Sequence, residues 1–266
     1  MSRLFSIAAG TTPELAETPE RFVTSAATAG WAACGIWFDP DTWTDETTRE
    51  VRRRLADGGL AAVDMEVVHI GRDGECGDRI VDAAADIGAR NVLVVSWLPD
   101  ARATAHRLAE LCRRAAPAGI RVCIEFMRFT EVKTLADAIE VADLVDEPNV
   151  GILVDLLHVA RSGTTFEDLR QADPSLFPYA QWCDGPAAPR GWSTRDLVLD
   201  ALDDRCSPGH GELRAAEFET LFDETVPFSL EVRSRRLRNG FPDPTERATH
   251  LLHETMSALR NDGKRD

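Results

Sequence analysis

Across 266 residues, 45 acidic side chains outnumber 30 basic ones for a formal charge of −15, a balance that repels phosphate backbones and anionic lipid. Nucleic acid and membrane are therefore not expected as partners, and no apolar run approaches the roughly 18 residues that mark a spanning helix. A hydrophobic share of 44% beside 28% charged residues excludes a disordered or collagen-like chain and leaves room for one large core, since α/β barrels reach about 250 residues as a single domain.

The chain opens on MSRLFSIAAG, which lacks the apolar length of a signal peptide. Its first strand-like run, Leu4–Ala9, leads into AAGTTPE, so the glycine-rich turn of a dinucleotide fold is missing, and no GxxxxGK[ST] cradle follows. Further strand patterns lie at Ala33–Phe38, Ala62–Ile70, Asn91–Trp97, Arg121–Phe126, Gly151–Val154, Pro178–Cys183 and Phe228–Val232. Between them, Pro19–Ala29, Thr44–Ala56, Asp78–Ile87, Ala101–Ala116, Leu135–Val145 and Thr245–Leu259 carry apolar residues at three- and four-residue intervals, as helices covering a sheet do.

Gly88, Gly119 and the Glu147-Pro148-Asn149 turn mark joints before strands four, five and six. Eight β-α units in this length predict one (β/α)8 TIM barrel over residues 1–260, with a flexible tail at 261–266. The seventh unit breaks the rhythm with a long loop from Gly185 to Gly211. Six cysteines (Cys34, Cys76, Cys112, Cys123, Cys183 and Cys206) show no CxxC spacing and read as reduced core thiols, so the expected location is the cytoplasm.

The late strands carry the chemistry. Glu125 sits in RVCIEF, Asp155 in VGILVD, Gln181 in YAQWCD and Glu231 in FSLEV, each near the carboxyl end of its run, where barrel active sites gather. A buried carboxylate is costly unless something neutralises it, and three of them with an amide oxygen form an all-oxygen set suited to one Mn²⁺ or Mg²⁺. Any one of these residues alone reads equally well as a cap on the following helix. Four in successive strands point to a shared metal site.

His158 follows Asp155 by three residues, which in a continued strand sends the two to opposite faces, so the chain has to leave the strand near Leu156. From the pocket rim, His158 is a candidate for bonding a substrate hydroxyl or shuttling a proton. His69 lies near the end of MEVVHI and reaches the same mouth or sits in the core, whereas Glu66, at the opposite alternation parity, ranks below it as a site candidate. His106, His250 and His253 fall on helical patterns and are expected in solvent.

Arg161, Arg205 and Arg233 follow the motifs closely, and one of the three is expected to clamp the substrate, with the sequence silent on which. The run RSRRLR from Arg233 to Arg238 reads as a solvated loop. Trp37, Trp97 and Trp182 end or occupy strands, as pocket walls or as core.

The stretches IEF, PNVGILVDLLH, YAQWCDG, SPGHGEL and SLEV together resemble the xylose isomerase-like sugar isomerase/epimerase superfamily across most of the carboxyl-terminal two-thirds. The resemblance implies a divalent-metal TIM barrel with Glu125, Asp155, Gln181 and Glu231 as metal ligands and His158 on the pocket rim. Gln181 stands where most relatives have histidine, and bacterial 3-dehydroshikimate dehydratases of the same superfamily are similar in carrying glutamine there.

Two reactions follow. In the first, Glu125 and Glu231 move a proton next to a carbonyl through a metal-stabilised enolate, isomerising or epimerising a sugar, polyol or cyclic hydroxy-ketone. In the second, a lyase on the same site expels a β-hydroxyl, with His158 or His69 as proton donor. The resemblance also implies a possible homodimer. Phosphodiester-cleaving relatives carry more histidine ligands and a basic face, and this chain has neither.

Overall fold

Each apolar run of the sequence becomes one stave of a closed barrel. In the computed structural model, which describes residues 3–262, the strands are β1 (Phe5–Ile7), β2 (Ala33–Trp37), β3 (Ala61–Ile70), β4 (Asn91–Ser96), β5 (Arg121–Glu125), β6 (Val150–Asp155), β7 (Ala180–Trp182) and β8 (Phe228–Leu230). All pair in parallel in sequence order, and β8 closes on β1. This is the expected eight-stranded architecture, with β1, β7 and β8 shorter than their apolar runs.

Helices cover the outside: α1 (Pro19–Thr28), α2 (Asp45–Gly58), α3 (Gly77–Ile87), α4 (Ala101–Ala115), α5 (Leu135–Val145), α6 (Leu156–Ser162), α7 (Phe166–Gln171), α8 (Thr194–Asp203), α9 (Ala215–Glu219), α10 (Arg235–Gly240) and α11 (Pro244–Asp262). Their starts are set locally. Thr44, Thr134, Thr165 and Ser193 each cap the third helical residue's N–H and receive its side chain in return. Helix α3 stops at Gly88, whose φ of 77° suits glycine. Among the described residues, no helix is long and apolar enough to cross a membrane.

Three expectations are corrected here. The seventh loop holds α8, because Ser193 and Asp196 form a capping box and Leu197 and Ala201 give the helix a buried face one turn apart. The basic run after β8 is no loop either: Ser234 caps α10, and Arg235 and Arg238 reach Asp203. Finally, Asn261 and Asp262 of the expected tail continue α11, and 263–266 lie outside the described residues.

Inside the barrel, Ala33, Val63, Leu93, Cys123, Leu153 and Tyr179 form a closed apolar plug. Strand β3 departs from plain alternation twice, shifting register against β2 between Cys34 and Gly35 and against β4 between Met65 and Val68. Such bulges re-aim side chains. Asp64 is thereby fully buried, and Tyr179 Oη donates to its Oδ2 at 3.4 Å. Burial, opposed by the Tyr179 hydrogen bond and reinforced by the charge of Glu231, pushes the Asp64 carboxyl up to about 7.

The Asp64 side chain lies across β2 where only glycine leaves room, since a Cβ on Gly35 would sit 2.5 Å from Asp64 Oδ1. Gly35→Ala is therefore expected to destabilise the fold by about 1–3 kcal/mol through overpacking. The measurement is the urea midpoint at unchanged m-value. An unshifted midpoint would mean that Asp64 yields without cost.

Candidate active site

The four residues singled out on the late strands meet at the carboxyl-terminal mouth of the barrel. Glu125 and Asp155 end their strands, Gln181 is central in β7, and Glu231 follows the last residue of β8; all four are buried. The chain leaves the barrel wall at Leu156, as the spacing of Asp155 and His158 requires. Asp155 becomes the N-cap of α6, accepting the His158 N–H on Oδ1 at 3.1 Å. This cap turns His158 back over the site, with Nε2 3.7 Å from Glu125 Oε1.

Arg205, just past the end of α8, bonds Asp155 Oδ2 at 2.6 Å and Glu231 Oε2 at 2.8 Å, while its Nε donates to the Ala201 carbonyl at 3.0 Å. One guanidinium thus joins two carboxylates to the α8 backbone. Burial raises the Asp155 carboxyl, but the Arg205 charge, the nearby His158 and its hydrogen bonds hold it below the usual range. Glu125 lacks such a partner, and burial followed by the charges of Asp155 and Glu231 pushes it well above the usual carboxylate value. Burial pushes His158 down to about 4, so its imidazole is neutral at neutral pH.

The donor set fits a divalent cation. Glu125 Oε1 is buried with no hydrogen-bond partner, and Glu125, Asp155 and His158 offer atoms that all lie within 4.8 Å of one another. The Gln181 amide presents one atom 3.1 Å from Asp155 Oδ2 and 3.2 Å from Glu231 Oε2. With nitrogen there it donates to both carboxylates; with oxygen there it completes an oxygen cage.

Above these groups lies a cavity of about 220 Å³, lined by Glu66, His69, Glu125, His158, Arg205, Glu231 and Arg233. Trp37, Trp97 and Phe129 line it as well, and Val198, Ala201 and Leu202 bring α8 against it as a roof. His69 is held by Trp97, whose Nε1 donates to its Nδ1 at 3.3 Å, and Arg72 stacks on the same indole at 3.8 Å.

The three arginines separate by their partners. Arg161 is away from the cavity, ion-paired to Asp200 at 2.7 Å and donating to the carbonyls of Pro186 and Ala187. Its expected substrate contact is corrected to a bolt between α6, the loop after β7 and α8. Arg205 spends its guanidinium on the acidic set. Arg233 lines the cavity with its Nε buried and unpartnered.

Trp182 is likewise corrected from pocket wall to outer core. Because Gln181 points into the barrel, its neighbour points out, packing on Phe5 and Phe228 and donating to the Ala215 carbonyl at 3.0 Å. Glu66, ranked low on parity, does line the cavity together with His69, because the β3 bulge falls between them. Of the histidines expected in solvent, His106 is exposed, whereas His250 is half-buried against the Phe241 ring at 4.1 Å.

An inosose isomerase of Halalkalibacterium halodurans is 29% identical over 125 residues, 46% of this chain and 42% of that protein, so the match spans less than half of the relative. Among solved structures, the IOLI protein with a bound zinc atom superposes with a TM-score of 0.77 at 17% identity, covering 98% of this chain and 97% of that one. The probable 3-DHS dehydratase AsbF of Bacillus anthracis gives 0.69 at 15%, with 94% and 98% covered. These two likenesses show the barrel. A family profile described as xylose isomerase-like TIM barrel matches residues 23–256, and with the closed eight-stranded sheet this makes the chain a member of the xylose isomerase-like TIM barrel family.

Proposed function

We propose that the chain is a divalent-metal-dependent isomerase or epimerase of a sugar, polyol or cyclic hydroxy-ketone. The observation that carries the reading is the convergence of Glu125, Asp155, Gln181 and Glu231 at the barrel mouth, with a buried Glu125 oxygen left unpartnered. Its match to inosose isomerase supports a polyol-type substrate. In this reading the four residues hold one Mn²⁺ or Mg²⁺, which supplies electrophilic pull on adjacent hydroxyl and carbonyl oxygens of the substrate.

The protein's own groups do the rest. Glu125 and Glu231 remove and return the proton on the carbon beside the carbonyl. Arg205 pairs with both Asp155 and Glu231, holding the Asp155 carboxyl below its usual range, opposing the rise that burial imposes on Glu231, and aiming both. Neutral His158, facing Glu125, bonds a substrate hydroxyl, and Arg233 is the substrate-contacting arginine. The roof of α8 excludes water from the reacting carbons.

The second reading, a 3-dehydroshikimate dehydratase, is favoured by one residue, Gln181. There the same proton removal is followed by loss of a β-hydroxyl, with His158 or His69 as the donor to the leaving oxygen.

The test has two arms on Mn²⁺-loaded protein. An isomerase exchanges deuterium from solvent into an inosose beside its carbonyl, read by NMR; a dehydratase turns 3-dehydroshikimate into an aromatic acid, read by ultraviolet absorbance. Exchange without absorbance change is the expected result. Glu125→Gln is expected to slow the exchange by about 10²–10⁴-fold while the protein stays folded. Full exchange in that variant removes Glu125 from the proton path.

A further inference from the structure

Glu66 is a buried carboxyl that none of these steps uses. It is 1% exposed, its Oε1 has no hydrogen-bond partner, and it lines the cavity with the acidic set. Arg233 lines the same cavity; its Nε is also buried and unpartnered, and its Nη1 stays 3.9 Å from Glu231 Oε1, beyond hydrogen-bond reach. Leaving a carboxyl oxygen and a guanidinium Nε buried with bonds unmade costs stability, so both side chains are matched to something that enters the cavity.

The simplest group that satisfies both is a hydroxyl, which accepts from a guanidinium and pairs with a carboxyl in either protonation state. Trp37 and Trp97 add flat apolar faces suited to the C–H face of a ring.

We propose that Glu66, together with Arg233, grips a ring hydroxyl remote from the carbonyl, so that the site selects a polyhydroxylated ring over a simple hydroxy-ketone. This rests on the isomerase reading above. It makes Glu66 a specificity-determining residue outside the metal ligand set, supplied to the cavity by the bulge in β3.

The test compares two probes on Mn²⁺-loaded protein: an inosose, and 2-hydroxycyclohexanone, which keeps the hydroxyl–carbonyl pair and lacks the remaining hydroxyls. Relaxation of ligand protons by bound Mn²⁺ gives each dissociation constant. Glu66→Leu is expected to weaken the inosose about 30-fold and to leave 2-hydroxycyclohexanone within about twofold of the parent. Glu66→Asp, which keeps the carboxyl and loses reach, guards against misfolding of the leucine variant and is expected to weaken the inosose alone, by about tenfold.

Equal loss for both probes marks a structural role and overturns the proposal, as does no loss for either. If the parent's Mn²⁺ relaxes neither probe, the isomerase reading falls and takes this inference with it. If it relaxes both and the variants fail to separate them, only the inference falls.

Discussion

Asp155→Asn is expected to abolish stoichiometric binding of Mn²⁺ or Mg²⁺ and to lower kcat/KM by about 10³-fold or more, since the charge that both holds and polarises is removed from a buried site. The asparagine is the right substitution because Asp155 has two structural duties. Its Oδ1 caps α6 through the His158 N–H, a bond that an asparagine oxygen still accepts, while alanine loses the cap at a cost of about 1 kcal/mol. Its Oδ2 meets Arg205, and that guanidinium keeps Glu231 and the Ala201 carbonyl when the charge at Asp155 is gone. Stability is therefore expected to fall by only about 1–3 kcal/mol. Calorimetric titration with Mn²⁺ and a urea melt separate the two effects. Metal binding at parental affinity would sink the ligand assignment and with it the reading of the whole mouth.

The barrel and the acidic set were legible in sequence because both rest on short-range rules. Alternation and helical periodicity mark staves and covering helices, and Asp155 followed by His158 is an N-cap geometry written in three residues. What escaped depends on events that alternation does not encode. Glu66 looked misplaced because parity counted from His69 is inverted by the β3 register shift between Met65 and Val68, and no residue type at that point announces a bulge.

The arginines were indistinguishable because their partners are remote: Asp200 lies 39 residues from Arg161, and Asp155 lies 50 residues from Arg205. Two signals were available and unread. Gln181 facing inward already turns Trp182 outward, and Ser193 with Asp196 already caps a helix inside the seventh loop.

That helix sets the second large effect. Arg161→Met is expected to cost about 3–5 kcal/mol of stability, because it strips the partner from Asp200, whose side chain is 2% exposed. A carboxylate so buried has no water to fall back on, and the carbonyls of Pro186 and Ala187 lose their donor in the same change. The penalty belongs mainly to the orphaned charge rather than to the ion pair. The double change Arg161→Met with Asp200→Leu is therefore expected to recover most of it, as apolar replacements of buried pairs do.

Activity is expected to respond differently. Asp200 sits on α8 between residues that roof the cavity, Val198 on one side and Ala201 and Leu202 on the other, while Arg205 still ties the Ala201 carbonyl to the acidic set. Loosening the Arg161 bolt frees the α6 side of the roof and leaves the acidic set of Glu125, Asp155 and Glu231 in place. KM is thus expected to rise by about tenfold with Mn²⁺ affinity unchanged, and the stabilised double variant is expected to keep that raised KM because it lacks the bonds to Pro186 and Ala187. Should the double variant regain parental KM along with stability, the roof is held by packing alone and Arg161 has no part in shaping the site.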